Sequence, residues 1–356
     1  MQLGILGFPK AGKTTLFNTL TASKQATDKF SSSSEANVGI AQVRDPRLEK
    51  LRDLWKPKKY TPATVEYVDI PGIKKGEGSE SLNLGHLKSV DAIVLVVRAF
   101  ADEEIVHPSG SVDAARDVEE VDLELIFADH GLVERRLERL EKATKRGLNP
   151  EEIRERQLLS EVILPALEKE TPLREVKLDP DDERRLRGFQ LLSAKPMLLV
   201  INVDESKVGT ADPTALGIRV RPSVRAVVVS APIEEEISRM APEEQKEFLA
   251  DLGLTEPSLD RVTRASYELL GVISFFTVGE DEVRAWTIRR GTRAREAAGT
   301  IHSDIERGFI RAEVVGCEDL LRLKTLVACR EAALLRLEGK EYEMKDGDVT
   351  NFRFNV

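Results

Sequence analysis

Apolar and polar positions along this chain fall into blocks of two kinds. The run Gln2-Leu3-Gly4-Ile5-Leu6 is too short and too apolar for an amphipathic helix and predicts a buried strand. Residues 15–20 follow with a helix start. Residues 37–43 and 63–69 predict strands, and between them Asp45-Pro46-Arg47-Leu48 opens a helix with proline in its first turn. Residues 92–98, 197–202 and 225–230 read as further buried strands. Strands separated by helical stretches predict a mostly parallel, helix-covered sheet, a doubly wound α/β fold.

The pattern changes twice. From about residue 112 to 188 the chain is rich in Leu, Glu, Arg and Lys with apolar positions three and four apart: Leu123, Ile126, Phe127, then Leu132, Leu137 and Leu140. Gly147-Leu148-Asn149-Pro150 interrupts it, and a second helix is expected over 151–169. The densely charged flanks favour an antiparallel helical hairpin, a coiled-coil arm, over two surface helices packed on the core. Residues 234–270 read as helical. After Gly271 come short strands, 273–277 and 282–288, and glycine turns, which predict a small α+β terminal domain. The expected boundaries are 1–128 with 189–270 for the α/β domain, 129–188 for the helical insertion and 271–356 for the terminal domain.

Composition narrows the setting. The 356 residues allow two or three domains. No run approaches the roughly 18 apolar residues of a membrane helix, and the N-terminus reads as a strand, not a leader. Cys317 and Cys329 have no metal-ligand spacing, so a reduced, cytoplasmic protein with no membrane partner is expected. A net charge of −9 argues against a generally basic nucleic-acid binder. The mixed charges of the arm show no clean basic stripe.

The chemistry starts at Gly7-Phe8-Pro9-Lys10-Ala11-Gly12-Lys13-Thr14, which fits G-x-x-x-x-G-K-[ST] between a strand and a helix. Glycines let successive backbone N–H groups turn toward one anion, and a helix N-terminus adds partial positive charge. Ala11, Gly12, Thr14 and Thr15 belong to this phosphate cradle. Lys13 is expected on the β- and γ-phosphates, and the Thr14 hydroxyl on Mg²⁺, a hard cation that takes oxygen ligands. Asp69-Ile70-Pro71-Gly72 fits D-x-x-G: Asp69 faces the metal through water and the Gly72 N–H senses the γ-phosphate. The polar stretch 74–81 then suits a mobile switch, and the serine run 31–34 offers a further hydroxyl, Ser33, for the metal. Strand-end Asn202-Val203-Asp204-Glu205 and Ser230-Ala231 occupy the places of the base-reading motifs. Asn202, Val203, Glu205, Ser230 and Ala231 are therefore candidate base-side residues.

With these motifs in place the chain resembles the YchF branch of the Obg-related translation-factor GTPases. It carries Glu35-Ala36-Asn37-Val38-Gly39, Lys56-Pro57-Lys58-Lys59, Val90-Asp91-Ala92-Ile93-Val94 and Gly110-Ser111-Val112-Asp113. Near the end it has Phe275-Phe276-Thr277, Val283-Arg284-Ala285-Trp286-Thr287-Ile288, Gly308-Phe309-Ile310-Arg311-Ala312-Glu313 and Phe352-Arg353-Phe354-Asn355-Val356. The likeness covers essentially the whole chain. It implies a P-loop NTPase domain, a coiled-coil insertion and a C-terminal TGS domain of ubiquitin-like α+β type.

The resemblance also implies chemistry. Guanine-specific sites use N-K-x-D; here the lysine is missing and the acid is Glu205, one methylene longer. Members resembling this chain prefer ATP, so a slow Mg²⁺-dependent ATP-hydrolysing switch is expected, a cytoplasmic monomer contacting ribosome or RNA through its arm and TGS domain. Asp204 leaves a GTP-preferring alternative open, and a nucleotide-gated RNA- or protein-binding scaffold with negligible hydrolysis is another. Ile73 stands where many GTPases place a water-positioning glutamine, and it cannot serve. His107 aligns with a family histidine proposed to assist catalysis. Lys10 replaces an asparagine that in related enzymes helps hold potassium; its ammonium would supply that charge itself.

Overall fold

The computed structural model describes residues 1–22, 37–72, 84–102, 104–221 and 223–355. The strands, in chain order, are β1 (Gln2–Leu6), β2 (Asn37–Val43), β3 (Lys59–Thr61), β4 (Ala63–Asp69), β5 (Ala92–Ala99), β6 (Met197–Val203), β7 (Val224–Val229), β8 (Val272–Val278), β9 (Glu282–Arg289), β10 (Phe309–Gly316), β11 (Arg336–Glu338) and β12 (Asp348–Phe354). The chain divides into two compact units, Met1–Gly39 with Glu66–Val262 and Ile40–Val65 with Thr263–Val356.

The first unit is built on a sheet ordered β2-β4-β1-β5-β6-β7 among the described residues. β1 runs parallel to β4 and β5, and β6 is parallel to β5 and β7. Strands buried on both faces need near-continuous apolar sequence, and Leu3, Ile5, Ile93, Val94, Leu199 and Ile201 are all sealed from solvent. Parallel connection puts the carboxyl ends of β1, β4, β5 and β6 along one edge, where α/β sheets bind their ligands.

The helix Ala114–Ala143 starts at an Asp113 cap that accepts from Arg116 N, well ahead of the expected insertion boundary at 129. Its partner begins with a capping box, Asn149 and Glu152, at Pro150–Leu158. It continues through a π-turn, Leu159–Ile163, into Leu164–Glu168. The Leu164 N–H reaches back five residues to the Leu159 carbonyl immediately before Pro165, which has no N–H to offer the ladder. Ile126, Val133 and Leu140, seven residues apart, pack against Leu158, Leu159, Ile163 and Leu167. A two-pronged Arg136–Glu155 pair, 2.6 and 2.9 Å, pins the two helices. Phe127, expected in the seam, faces solvent.

Three buried aspartates lie along Ala114–Ala143. Asp117 meets His107, and Asp122 pairs with Arg174. Asp129 accepts Leu192 N, Ser193 N and Ser193 Oγ at 2.8, 2.7 and 2.7 Å.

In the second unit the sheet order is β11-β10-β12-β8-β9-β3 among the described residues. β8 and β9 form an antiparallel pair, as do β10 and β12. The helix Ala294–Ile301 closes one face over Ile273, Phe275, Ile288, Val314 and Phe352. This unit differs from the expected 271–356 domain. It also takes in Ile40–Val65, whose β3 pairs in parallel with β9 and whose Arg47 bonds to Asp45 and Asp346 while lying over the Phe276 ring. A boundary drawn at composition shifts cannot register such long-range pairing. Both cysteines are free and buried. Among the described residues no helix is long and apolar enough to cross a membrane.

Removing the Asp129 carboxylate orphans two buried N–H groups and a hydroxyl. D129A is expected to destabilise the first unit by about 2–4 kcal/mol in urea unfolding. E134A, on the exposed side of the same helix, should stay within about 0.5 kcal/mol.

Candidate functional site

Backbone geometry makes the cradle. Between β1 and the helix Lys13–Thr21 the chain takes positive φ at Gly7 (151°), Lys10 (64°) and Gly12 (95°). Both glycines are sterically required. A Cβ on Gly7 would collide with the Val96 carbonyl oxygen, and one on Gly12 with Asn202 Nδ2. Lys10 holds a left-handed conformation that costs about 1–2 kcal/mol for an L-residue, and its side chain is exposed. Gly12 supplies no capping side chain, so the first-turn N–H groups of this helix are not capped from that position. That arrangement suits an anion.

Lys13 is buried, and its Nζ donates to the Gly7 and Phe8 carbonyls at 3.0 and 2.9 Å. Burial lowers its pKa to about 8, against an opposing pull from Asp69. Asp69 ends β4, in register with Ile5 of β1. Its pKa is raised by burial and lowered by Lys13. Gly72 lies against the loop: a Cβ there would stand 3.0 Å from Lys13 Nζ and 3.3 Å from Gly7 O and Pro9 N. Thr14 and Thr15 are half-buried in the first helical turn.

The structure thus brings Lys10, Ala11, Gly12, Lys13, Thr14, Thr15, Asp69 and Gly72 to one edge. Ser33, Ile73 and the stretch 74–81 lie outside the described residues. A hydroxyl and a carboxylate are hard oxygen donors, so Thr14 and Asp69 fit Mg²⁺, which takes few protein ligands alongside phosphate oxygens. Among the described residues no group of three or more His, Cys, Asp or Glu side chains could hold a metal by itself.

Asn202, at the end of β6, differs from a simple base contact. Its Nδ2 donates to Ala11 O at 3.1 Å and its Oδ1 accepts Ala231 N at 3.0 Å, all buried. Asn202 therefore ties the phosphate loop to the Ser230-Ala231 turn, and its amide is engaged within the protein. Ser230 is fully buried, with no partner for its Oγ among the described residues. Val203 is buried, Asp204 is half-buried 3.8 Å from Lys207 Nζ, and Glu205 is exposed at the start of the turn Glu205–Lys207.

His107 is buried rather than solvated. Its Nδ1 accepts the Ser109 N–H at 3.1 Å, which leaves the proton on Nε2, donated to Asp117 at 2.8 Å. The ring meets Phe8 of the phosphate loop edge-on, centroids 6.5 Å apart. Sequence reasoning missed Phe8, Asp117 and Arg98. A lone arginine closing the apolar run 92–98 was the available signal, since a charge in a buried strand needs partners.

Residues 2–128 match a family described as 50S ribosome-binding GTPase, and residues 272–355 match a YchF GTPase C-terminal family described as a protein of unknown function. Ribosome-binding ATPase YchF of Bacillus subtilis is 44% identical over 100% of both chains. The Escherichia coli O157:H7 protein of the same name is 40% identical over 100% of this chain and 99% of its own. The solved Schizosaccharomyces pombe YchF GTPase superposes with a TM-score of 0.86 at 32% identity, covering 99% of this chain and 97% of that one. A GTP binding protein from Pyrococcus horikoshii, at 18% identity and a TM-score of 0.59, shares the fold.

Lys13 provides a pH test. Its charged form attracts phosphate, and in the free protein that form is lost as pH rises through about 8. Nucleotide binding above that point requires proton uptake. Affinity measured by calorimetry should be flat just above neutrality and then weaken by close to tenfold per pH unit above about 8. K13R, which stays charged throughout, should remove that slope even where it weakens binding.

Proposed function

The chain belongs to the YchF family of P-loop NTPases, and from that premise we propose a slow, Mg²⁺-dependent ATP-hydrolysing switch that works on the ribosome as a cytoplasmic monomer. The observation that carries the reading is the meeting of buried Lys13 with Asp69 and Gly72 against the phosphate loop. Loop amides and the first turn of Lys13–Thr21 hold the phosphates. Lys13 stabilises charge that grows on the β–γ bridge as water attacks the γ-phosphorus and ADP leaves. Thr14, Asp69 and, outside the described residues, Ser33 would hold Mg²⁺, which supplies charge neutralisation when bound. Gly72, with its N–H toward the γ-phosphate, reports whether the triphosphate is intact.

In this reading Asn202 shapes the base pocket, while Val203, Glu205, Ser230 and Ala231 line it. The names of the relatives support ATP hydrolysis and ribosome binding. The absence of lysine after Asn202 supports adenine over guanine. His107 assists hydrolysis only after leaving Asp117, because both ring nitrogens are engaged where it now sits. Slow turnover follows from that latch and from Ile73. The arm and the C-terminal unit are the proposed ribosome contacts. The GTP-preferring reading keeps one observation in its favour, half-buried Asp204 beside the turn Glu205–Lys207.

Titration with fluorescent ATP and GTP analogues in Mg²⁺, competed by unlabelled nucleotide, tests the base choice. ATP is expected to compete at least about tenfold better, the equivalent of roughly 1.4 kcal/mol. Equal or better competition by GTP would transfer the base contact to Asp204. Ribosome co-sedimentation with a non-hydrolysable ATP analogue should exceed that with ADP.

Lys10 carries a second expectation. If its ammonium stands in for a monovalent cation at the β–γ bridge, ATPase rates in sodium and potassium should agree within about twofold, and K10N should slow the enzyme about tenfold or more while gaining potassium stimulation. Strong potassium stimulation of the unaltered protein would remove Lys10 from the catalytic group.

A further inference from the structure

Arg98, the penultimate residue of β5, is 2% exposed, yet among the described residues no carboxylate pairs with it. Among the described residues its guanidinium donates hydrogen bonds to backbone carbonyls alone. Nε donates to Phe100 O at 3.2 Å, Nη1 to Ile105 O at 3.0 Å and Nη2 to Asp102 O at 3.2 Å. The guanidinium also lies over the Phe100 ring, 4.7 Å from its centroid. Three carbonyls from one loop therefore converge on one planar fork. A buried cation compensated only by neutral dipoles is a poor source of stability. What it supplies is shape, because five donors in fixed geometry can hold three carbonyls where an ammonium cannot hold the same set.

The loop held this way carries Val106, 79% exposed, and then His107, 5% exposed. Beyond it, Gly110 N returns to His107 O at 2.9 Å and Gly110 takes φ 81°. His107 touches Phe8 of the phosphate loop and bonds to Asp117. One end of the loop is thus fixed at Arg98 and the other at Asp117, with the histidine between them. In register, Arg98 stands opposite Asn202, which binds the phosphate loop from the next strand.

We propose that Arg98 is a positioning residue for hydrolysis: by gathering the Phe100, Asp102 and Ile105 carbonyls it sets the place from which His107 reaches the γ-phosphate region. This rests on the reading of His107 given above. In this proposal Arg98 acts through that loop and His107. Displacing a loop-borne group by about an ångström costs up to a hundredfold in rate while leaving ground-state binding intact.

The test compares full-length R98K, R98M, H107A and the double variant R98M/H107A in steady-state ATPase assays. Thermal unfolding and hydrogen exchange of the 100–110 amides accompany each assay. R98M is expected to lower kcat about tenfold or more with KM for ATP within about twofold, and R98K to fail to rescue it. Exchange should rise in 100–110 and not in the phosphate loop, and R98M should cost nothing further in the H107A background. Additive losses, or a KM rise with general loss of thermal stability, would make Arg98 merely structural and overturn the proposal. Slow H107A beside an R98M of normal rate and exchange overturns the Arg98 role alone. Unchanged kcat in H107A removes the histidine reading and the catalytic claim for Arg98 with it.

Discussion

The carboxamide of Asn202 is the joint on which the nucleotide edge of the first unit depends. Ala11 in the phosphate loop and Ala231 in the neighbouring turn bind opposite ends of one buried side-chain amide. Leaving either partner unmade costs about 1–3 kcal/mol, so loop, strand and turn are fixed as one piece. The same contact explains Gly12: a Cβ there would occupy the place of Asn202 Nδ2. Conformation and packing thus demand glycine at the same position, and the helix Lys13–Thr21 leaves that position with its first N–H groups uncovered by a capping side chain.

A second set of constraints runs along Ala114–Ala143. Asp117, Asp122 and Asp129 hold, in turn, the His107 loop, Arg174 beyond the hairpin, and the segment that enters β6. At 1.5 Å per residue these anchors span about 18 Å of one helix. Apolar replacements often match buried ion pairs in stability, so pairs of this kind are better at fixing register than at adding free energy. The helix therefore reaches from the side of the phosphate loop to the seam of the arm as a single rigid element. Sequence reasoning placed the start of the insertion at 129, although the composition shifts from about residue 112 and the apolar spacing begins at Leu123. The helix begins at Ala114, where Asp113 caps it.

What could be read from the sequence was whatever depends on local spacing. The strand and helix flanking the phosphate loop, the D-x-x-G turn after β4 and the helical hairpin all follow from periodicity and turn chemistry. The adjacency of Lys13 and Gly72 follows from a parallel sheet that aligns the ends of β1 and β4. Contacts between residues far apart in sequence were not legible. Nothing local marks 40–65 as part of the second unit: β3 is only three residues long, and Arg47 finds Asp346 across 299 positions. Likewise, a histidine in a polar loop reads as solvated until Asp117, ten residues on, is brought to it by the turn of the helix. Asn202 was found for its motif, whereas its two partners became visible only in three dimensions.

The electrostatics of the site then explain how a chain of net charge −9 can be built around a polyanion. Distant acids are screened within about 10 Å at moderate salt, so the nearest groups decide. Lys13 and Asp69 are both pushed toward their neutral forms by burial, the lysine downward and the aspartate upward, and their mutual attraction only partly offsets it. Burial thus leaves the charged form of each only partly compensated. In the proposed reading, a triphosphate would return negative charge beside Lys13 and a divalent cation positive charge beside Asp69. Either alone would correct one residue and leave the other destabilised. On that reading the nucleotide–metal complex would correct both, and Gly72, packed against Lys13 and the loop, would sit where loss of the terminal phosphate is felt first.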